Sequence, residues 1–256
     1  MIISGFDKLS LVNYPGVVAC TIFTLGCPWR CKFCQNSTLA TGTDENRIPE
    51  QEVLDYLKKR KGLVDGICIS GGEPTIQPGL TEFAKKCKDL NVKVKLDTNG
   101  VNPGRVEEML KAEVLDYIAM DIKLPLNNYE DVICTWADPD VLHKTISLIK
   151  KYGRGVKQNG HTYKIDYEFR TTIMKEFHDK KTISRIMEEL DDDSHYYLQN
   201  FEDSEYVFDH TLHGFSDDEL RDLDKWMKEK HKLASVRGLK YPNATRARDP
   251  RFYQTD

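Results

Sequence analysis

Short β-branched runs alternate with longer stretches of helical periodicity along most of the chain, and this alternation limits the fold more than any other feature. Residues 17–24 (VVACTIFT), bounded by Pro15-Gly16 and Gly26, read as a buried strand. Residues 49–61 place Val53, Leu54 and Leu57 at helical spacing, and 66–70 (GICIS) form another compact apolar strand that ends in two glycines. The pattern recurs as helix 80–90, strand 92–97, helix 105–111, strand 117–121, helix 139–152, strand 166–172, helix 182–190, strand 195–198 and helix 216–231. Strands separated by helices pair in parallel. Six strands are too few to close an eight-fold barrel, so the expected architecture is α/β: a partial, open (β/α)6 TIM-like barrel of parallel strands. Its chemistry belongs at the C-terminal strand ends.

The 256 residues are 39% hydrophobic and 30% charged, which suits one core-forming unit, taken as residues 1–238 with a basic extension, 239–256, that carries Lys240, Arg246, Arg248 and Arg251. Lys and Arg number 37 against 41 Asp and Glu, a formal charge of −4. That balance lacks the basic excess that nucleic acid or an anionic membrane selects, so neither is an expected partner. No apolar run approaches the roughly 18 residues of a membrane span. Asp7-Lys8 stands where a signal peptide would continue apolar, so a cytoplasmic location is expected. Seven cysteines, an odd number, then read as reduced thiols, among which a tight cluster means metal or catalysis.

Such a cluster exists. Cys27, Cys31 and Cys34 are spaced C-x3-C-x2-C in the loop after the first strand. Thiolates suit zinc or iron–sulfur clusters, and structural zinc normally closes with four ligands. Cys20 and Cys68 lie within strands and the first histidine is His143, so three ligands and one open iron fit the spacing better. The second constellation, Ser70-Gly71-Gly72-Glu73-Pro74-Thr75, stands where the next strand stops. Its glycines let backbone approach a ligand, and Glu73 supplies a carboxylate suited to an ammonium group. Leu96-Asp97-Thr98-Asn99-Gly100 and Met120-Asp121-Ile122-Lys123 end the following two strands, and alternation puts Asp121 and Lys123 on one face.

These residues resemble the radical S-adenosylmethionine (SAM) superfamily, in the cysteine spacing, in Phe33 before the last cysteine and in the Gly-Gly-Glu-Pro turn. The resemblance implies an oxidoreductase with a [4Fe–4S] cluster on Cys27, Cys31 and Cys34, whose open iron is chelated by the amine and carboxylate of SAM. Gly72 and Glu73 would meet the amine, Gly71 would also bind the cofactor, and the Phe33 backbone would lie near the adenine. Reductive cleavage would give methionine and a 5′-deoxyadenosyl radical. The 97–100 and 120–123 motifs look like those of glycyl-radical-enzyme activases. There, Asp97 and Lys123 would lie beside the cofactor carboxylate and organise it with a small monovalent cation. Thr98, Asp121, Ile122 and Gln199 would also be cofactor-binding, and Asp121, beside the incoming glycine loop, would be catalytic together with the three cysteines. Gly5-Phe6, the run 10–16 (SLVNYPG), residues 66–74, Arg170-Thr171-Thr172, Gln199-x-Phe201 and Val236-Arg237-Gly238 look most like activating proteins of the anaerobic, class III ribonucleoside-triphosphate reductase. Such a protein takes its electron from a flavodoxin- or ferredoxin-type donor.

Two positions depart from related activases: Gln35, where relatives often carry His, and Gln199, near where pyruvate formate-lyase activases have a histidine close to the cofactor. A second cysteine cluster is absent, so no ferredoxin-like insert is expected. The alternatives are an activase of pyruvate formate-lyase or another glycyl radical enzyme, a small-molecule enzyme like 7-carboxy-7-deazaguanine synthase, and a zinc or electron-transfer module. Cys68, Cys87 and Cys134 read as buried fillers, and Trp136 and Trp226 as core or packing residues. His210 and His213 read as structural or exposed, 153–160 as a polar loop, and Asp191-Asp192-Asp193 as a solvated helix end.

Overall fold

A computed structural model describes residues 1–191 and 193–239. In chain order the elements are β1 (Ile3–Ser10), β2 (Ala19–Thr24), α1 (Ser37–Thr41), α2 (Glu50–Lys59), β3 (Gly66–Gly71), α3 (Leu80–Asp89), β4 (Lys93–Thr98), α4 (Pro103–Lys111) and β5 (Tyr117–Asp121). There follow α5 (Glu130–Ile133), α6 (Pro139–Gly153), β6 (Val156–Gln158), β7 (His161–Tyr163), β8 (Asp166–Ile173), α7 (Lys180–Leu190), β9 (Tyr196–Asn200), α8 (Asp217–Lys230) and β10 (Ala234–Val236). The main sheet runs β1-β2-β3-β4-β5-β8-β9-β10. The six strands expected from the sequence are β2, β3, β4, β5, β8 and β9, all parallel. β1 adds an antiparallel edge and β10 a parallel one. These two edges do not pair, so the barrel is open.

Helix starts follow local chemistry. Asn102 and Asp138 each cap a helix whose first residue is proline, Asp179 accepts from Thr182 N, and Ser216 and Glu219 form a reciprocal capping box.

Register then sorts the two faces of the sheet. Ile22, Ile69, Leu96 and Ile118 stand side by side across β2 to β5 and are fully buried in the apolar layer beneath the helices, where Leu80 and Phe83 of α3 also lie. Burial of a side chain of this size contributes about 1.5–3 kcal/mol. The opposite, inner face is polar. Cys68, Lys95 and Tyr117 form one row, Asp97, Ala119 and Glu168 the next, and Asp121 and Arg170 a third. No helix among the described residues is long and apolar enough to cross a membrane.

Several expectations are corrected. Residues 153–160 are not simply a loop: Asn159 and Gly160, both at positive φ, turn β6 into β7 as a hairpin. Trp136 is exposed, between α5 and α6, and Cys134 is an exposed residue in left-handed conformation after α5 rather than a buried filler. Cys68 and Cys87 are buried, and Trp226 is partly buried between Lys180 and Lys230. Asp191 and Asp193 are exposed at the end of α7, as expected, and both also pair with Lys150, Asp193 with Arg154 as well. Asp192 and the extension beyond Leu239 lie outside the described residues.

Candidate functional site

The cysteine loop leaves β2 and is pinned along its length. Gly26 N donates to Leu39 O at 2.7 Å and Cys27 N to Ala40 O at 3.2 Å, which fastens its start to α1. Arg30 N and Lys32 N donate to Ile133 O and Val132 O, both at 3.0 Å, which fastens its middle to α5. Trp29 is buried and meets Tyr129 edge-on at 5.7 Å. Cys27, Cys31 and Cys34 consequently share the wall of one cavity of about 210 Å³.

The Gly-Gly-Glu-Pro turn forms the next part of that wall by close backbone packing. Gly72 N donates to Thr24 O and Glu73 N to Gly26 O, both at 2.9 Å. A Cβ at Gly72 would stand 2.2 Å from Gly26 O, and one at Gly71, whose φ is 121°, 2.2 Å from Thr24 N. Glycine is required at both positions by this contact. The Glu73 carboxylate is wholly buried and occupied by the chain's own donors: Thr75 N at 3.0 Å and Thr98 Oγ1 at 2.7 Å reach Oε1 along with the Thr75 hydroxyl, and Asn99 N reaches Oε2 at 2.7 Å. Glu73 thus braces the turn after β3 against the turn after β4. Burial pushes its pKa up and these hydrogen bonds pull it back in part.

Charged side chains face the cysteines from the strand ends. Arg170 Nε donates to Asp121 Oδ1 at 2.9 Å, and Lys123 Nζ to Asp121 Oδ2 at 3.1 Å. Arg170 Nη1 stands 3.6 Å from Asp97 Oδ1, the oxygen that also pairs with Lys95. Burial alone would raise the Asp121 pKa, but Arg170 and Lys123 outweigh it and hold the carboxyl well below the usual range. Asp97 is likewise lowered, against burial, by Arg170 and Lys95. Lys123 lies 5.4 Å from the Phe33 ring centroid and is held charged against burial by the Asp121 carboxylate. Behind this group Glu168, itself buried, accepts from Tyr117 OH at 2.6 Å and from Arg237 Nη1 at 2.9 Å.

Cys27, Cys31, Phe33, Cys34, Gly71, Gly72, Glu73, Asp97, Thr98, Asp121 and Lys123 all come together at the cavity. Ile122 and Gln199 do not line it. Ile122 is buried, with its N–H on Arg170 O at 2.7 Å. Gln199 instead borders a second cavity of about 1310 Å³, with Tyr117, Tyr197 and Arg237, between the β1–β2 turn and the end of β10. Asn99, Arg170 and Thr172 belong to the first cavity without having been singled out as site residues. The available signals were the Arg170-Thr171-Thr172 motif and, for Asn99, the motif that ends the strand before it.

The donors fit an iron–sulfur cluster. Burial pushes the Cys27 thiol up to about 11 and the Cys31 thiol up to about 12, and raises Cys34, so the free thiols hold their protons at neutral pH and only a bound metal would draw them off. Asn99 Nδ2 lies 3.6 Å from Cys27 Sγ. Among the described residues no three His, Cys, Asp or Glu side chains close on one ion; the three soft donors line a cavity instead.

The family model of the radical SAM superfamily matches residues 21–168, more than half of the chain. The chain belongs to the radical SAM superfamily. Among relatives of this radical SAM protein, one from Methanocaldococcus jannaschii, provisionally named a glycyl-radical enzyme activating enzyme, is 29% identical over 235 residues, covering 89% of this chain and 92% of that one. The pyruvate formate-lyase-activating enzyme of Clostridium pasteurianum is 32% identical over 126 residues, 47% of this chain and 52% of that enzyme. SuiB of Streptococcus suis, solved with its precursor peptide SuiA, superposes with a TM-score of 0.65 at 16% identity, over 85% of this chain and 48% of SuiB, a likeness of fold. The chain thus spans about half the length of the last two.

Proposed function

We propose that this radical SAM protein activates an anaerobic, class III ribonucleoside-triphosphate reductase by generating a glycyl radical on it. The observation that carries the reading is the set Asp97, Asp121, Lys123 and Arg170 facing three cysteines across one cavity. Likeness along most of the chain to a protein named as a glycyl-radical enzyme activating enzyme supports the reaction class. The motifs at 10–16, 170–172 and 236–238 support the reductase as partner.

In this reading Cys27, Cys31 and Cys34 would hold a [4Fe–4S] cluster, and the cavity beside them would take SAM. When bound and reduced by one electron from a flavodoxin- or ferredoxin-type donor, the pair would supply methionine and a 5′-deoxyadenosyl radical able to take the α-hydrogen of a partner glycine. The chain's own groups bind and orient. Lys123 and Arg170 reach the cavity beside Asp97 and Asp121, and their N–H groups are the donors an incoming carboxylate would meet. Trp29 and Phe33, both buried, keep the cysteine loop dry.

The test is anaerobic. The reconstituted, reduced protein is mixed with SAM and the reductase, and the glycyl radical is read by electron paramagnetic resonance (EPR). Wild type gives the radical and Cys31→Ala does not; a radical that persisted with Cys31→Ala would end the mechanism. The similarity to the pyruvate formate-lyase-activating enzyme favours one second reading, in which pyruvate formate-lyase is the partner. A radical on that enzyme and none on the reductase would decide for it.

A further inference from the structure

Asp97 already carries a cation that belongs to the chain. Lys95 precedes it by two residues on β4, so alternation sends both side chains to the inner face of the sheet. The Lys95 ammonium pairs with Asp97 Oδ1, 3.8 Å from Cys68 Sγ and 5.7 Å from the Tyr117 ring centroid. Its side chain is 1% exposed. Lysine is almost never fully buried unless paired, because desolvating an ammonium costs several kcal/mol. A position this deep is therefore built around the pair.

The resemblance to activases implies a small monovalent metal ion beside Asp97, and the groups around Asp97 do not fit one. Hard cations collect several oxygen ligands. Here Oδ1 faces the Lys95 ammonium and the Arg170 guanidinium, Oδ2 faces the Cys68 thiol at 3.6 Å, and the neighbouring Asp121 carboxylate is taken by Arg170 and Lys123. The Lys95 ammonium itself lies against Cys68 Sγ and the Tyr117 ring. A ring and a polarisable sulfur suit an ammonium. An added metal ion beside Asp97 would be repelled by both the Lys95 ammonium and the Arg170 guanidinium.

We propose that Lys95 is the resident cation of this pocket: its ammonium fixes the Asp97 carboxylate and supplies the positive charge that an alkali ion would bring, so SAM binding by this chain is independent of potassium and sodium. Lys95 does not line the cavity, whereas Asp97 does, which makes it a positioning residue that acts through Asp97. The inference rests on the SAM reading of the pocket and is indifferent to the identity of the partner.

The experiment uses the full, cluster-reconstituted chain in tetramethylammonium chloride, with KCl or NaCl exchanged in at constant ionic strength. Two quantities are read: the heat of cation binding without SAM, and the SAM dissociation constant from the cofactor-dependent change in the reduced cluster's EPR signal. Wild type is expected to show no saturable cation heat and a dissociation constant within about twofold in all three salts. Lys95→Met should bind SAM at least about tenfold more weakly in tetramethylammonium and regain affinity with potassium or sodium, with a one-site heat. Lys95→Gln serves as a second variant.

One potassium or sodium ion bound per wild-type chain would overturn the proposal, whether or not either variant folds. So would unchanged SAM affinity of Lys95→Met in tetramethylammonium. The cation heat needs neither SAM nor partner, so a failure to activate the reductase would count against that partner and leave this result standing.

Discussion

Arg170 joins two strands at the mouth of the cavity: its Nε donates to Asp121 Oδ1 at 2.9 Å, and the two residues are direct partners in the β5–β8 register. The same guanidinium stands 3.6 Å from Asp97 on β4, so one side chain spans three strands. Arg170→Ala leaves Asp97 with Lys95 and Asp121 with Lys123, without a common bridge. SAM affinity should fall at least about tenfold and unfolding free energy by about 3 kcal/mol. Arg170→Lys should recover only part of both, because a point charge cannot make the same forked contact. Calorimetric SAM titration and urea unfolding check this; unchanged affinity in Arg170→Ala would exclude the guanidinium from cofactor binding.

Glu73 is a brace before it is anything else. Removing its carboxylate as Glu73→Ala orphans Thr75 N, Thr98 Oγ1 and Asn99 N. A loss of about 2–3 kcal/mol in urea unfolding is expected for the apoprotein as well as the reconstituted one, since buried donors left unpaired carry the penalty. A role confined to holding a ligand would leave the apoprotein's stability untouched.

The turn at Gly72 sets where Cys27 begins. Gly72→Ala places a methyl group 2.2 Å from Gly26 O, beside the residue that starts the cysteine loop. Iron and sulfide per chain after reconstitution should drop well below half of wild type, with a destabilisation of about 1–3 kcal/mol. Full iron content in this variant would show that the loop accommodates the displacement.

His178 carries a pH dependence. Met174 N donates to its Nδ1 at 3.3 Å and its Nε2 faces Lys123 O at 2.9 Å, so a neutral ring protonated on Nε2 satisfies both neighbours. Burial holds its pKa below the ordinary value, and the backbone contacts and Asp179 only partly oppose that. The unfolded chain then takes the proton more readily. Stability from His178 is complete above about pH 6.5 and is lost as pH falls from there through the lower folded pKa. Urea unfolding between about pH 7.5 and about 5 should fall more steeply for wild type than for His178→Gln. Parallel slopes would assign the dependence elsewhere.

Much of this was legible in residue order. Six parallel strands announced themselves as short β-branched runs between amphipathic helices, and the cysteines by their spacing. The edges did not: β1 exposes Asp7 and Lys8, which break an alternating pattern, and β10 has three residues, too few to show any period. Asn159-Gly160 is a hairpin signal, but the strands it joins have three residues each, too few for an alternating period. Around the pocket, Lys95, Glu168 and Arg170 sit mid-strand, where a charged residue on the alternating face reads as a solvent-facing position. Only pairing register, Lys95 beside Tyr117 and Arg170 beside Asp121, brings them into one cluster. Glu73 was visible as a carboxylate, but besides Thr75 its donors Thr98 and Asn99 come from 25 and 26 positions further along, and no local spacing reveals them.

The unjoined edges have a mechanical meaning. A closed cylinder spreads any change of bore around its whole circumference, as hoop strain in every ladder of hydrogen bonds. A cylinder with a slit lets the same change run out at the slit. Here Leu11 and Val12 form one lip and Val236 and Gly238 the other, with the larger void between them. The lips can part or approach without cutting a sheet hydrogen bond, as the jaws of a C-clamp do. Strands β4 and β5, with Asp97 and Asp121, lie at the back of the clamp, midway between the edges, where flexing displaces least. Compliance at the slit and stiffness at the chemistry then come from one omission: among the described residues β10 and β1 share no ladder.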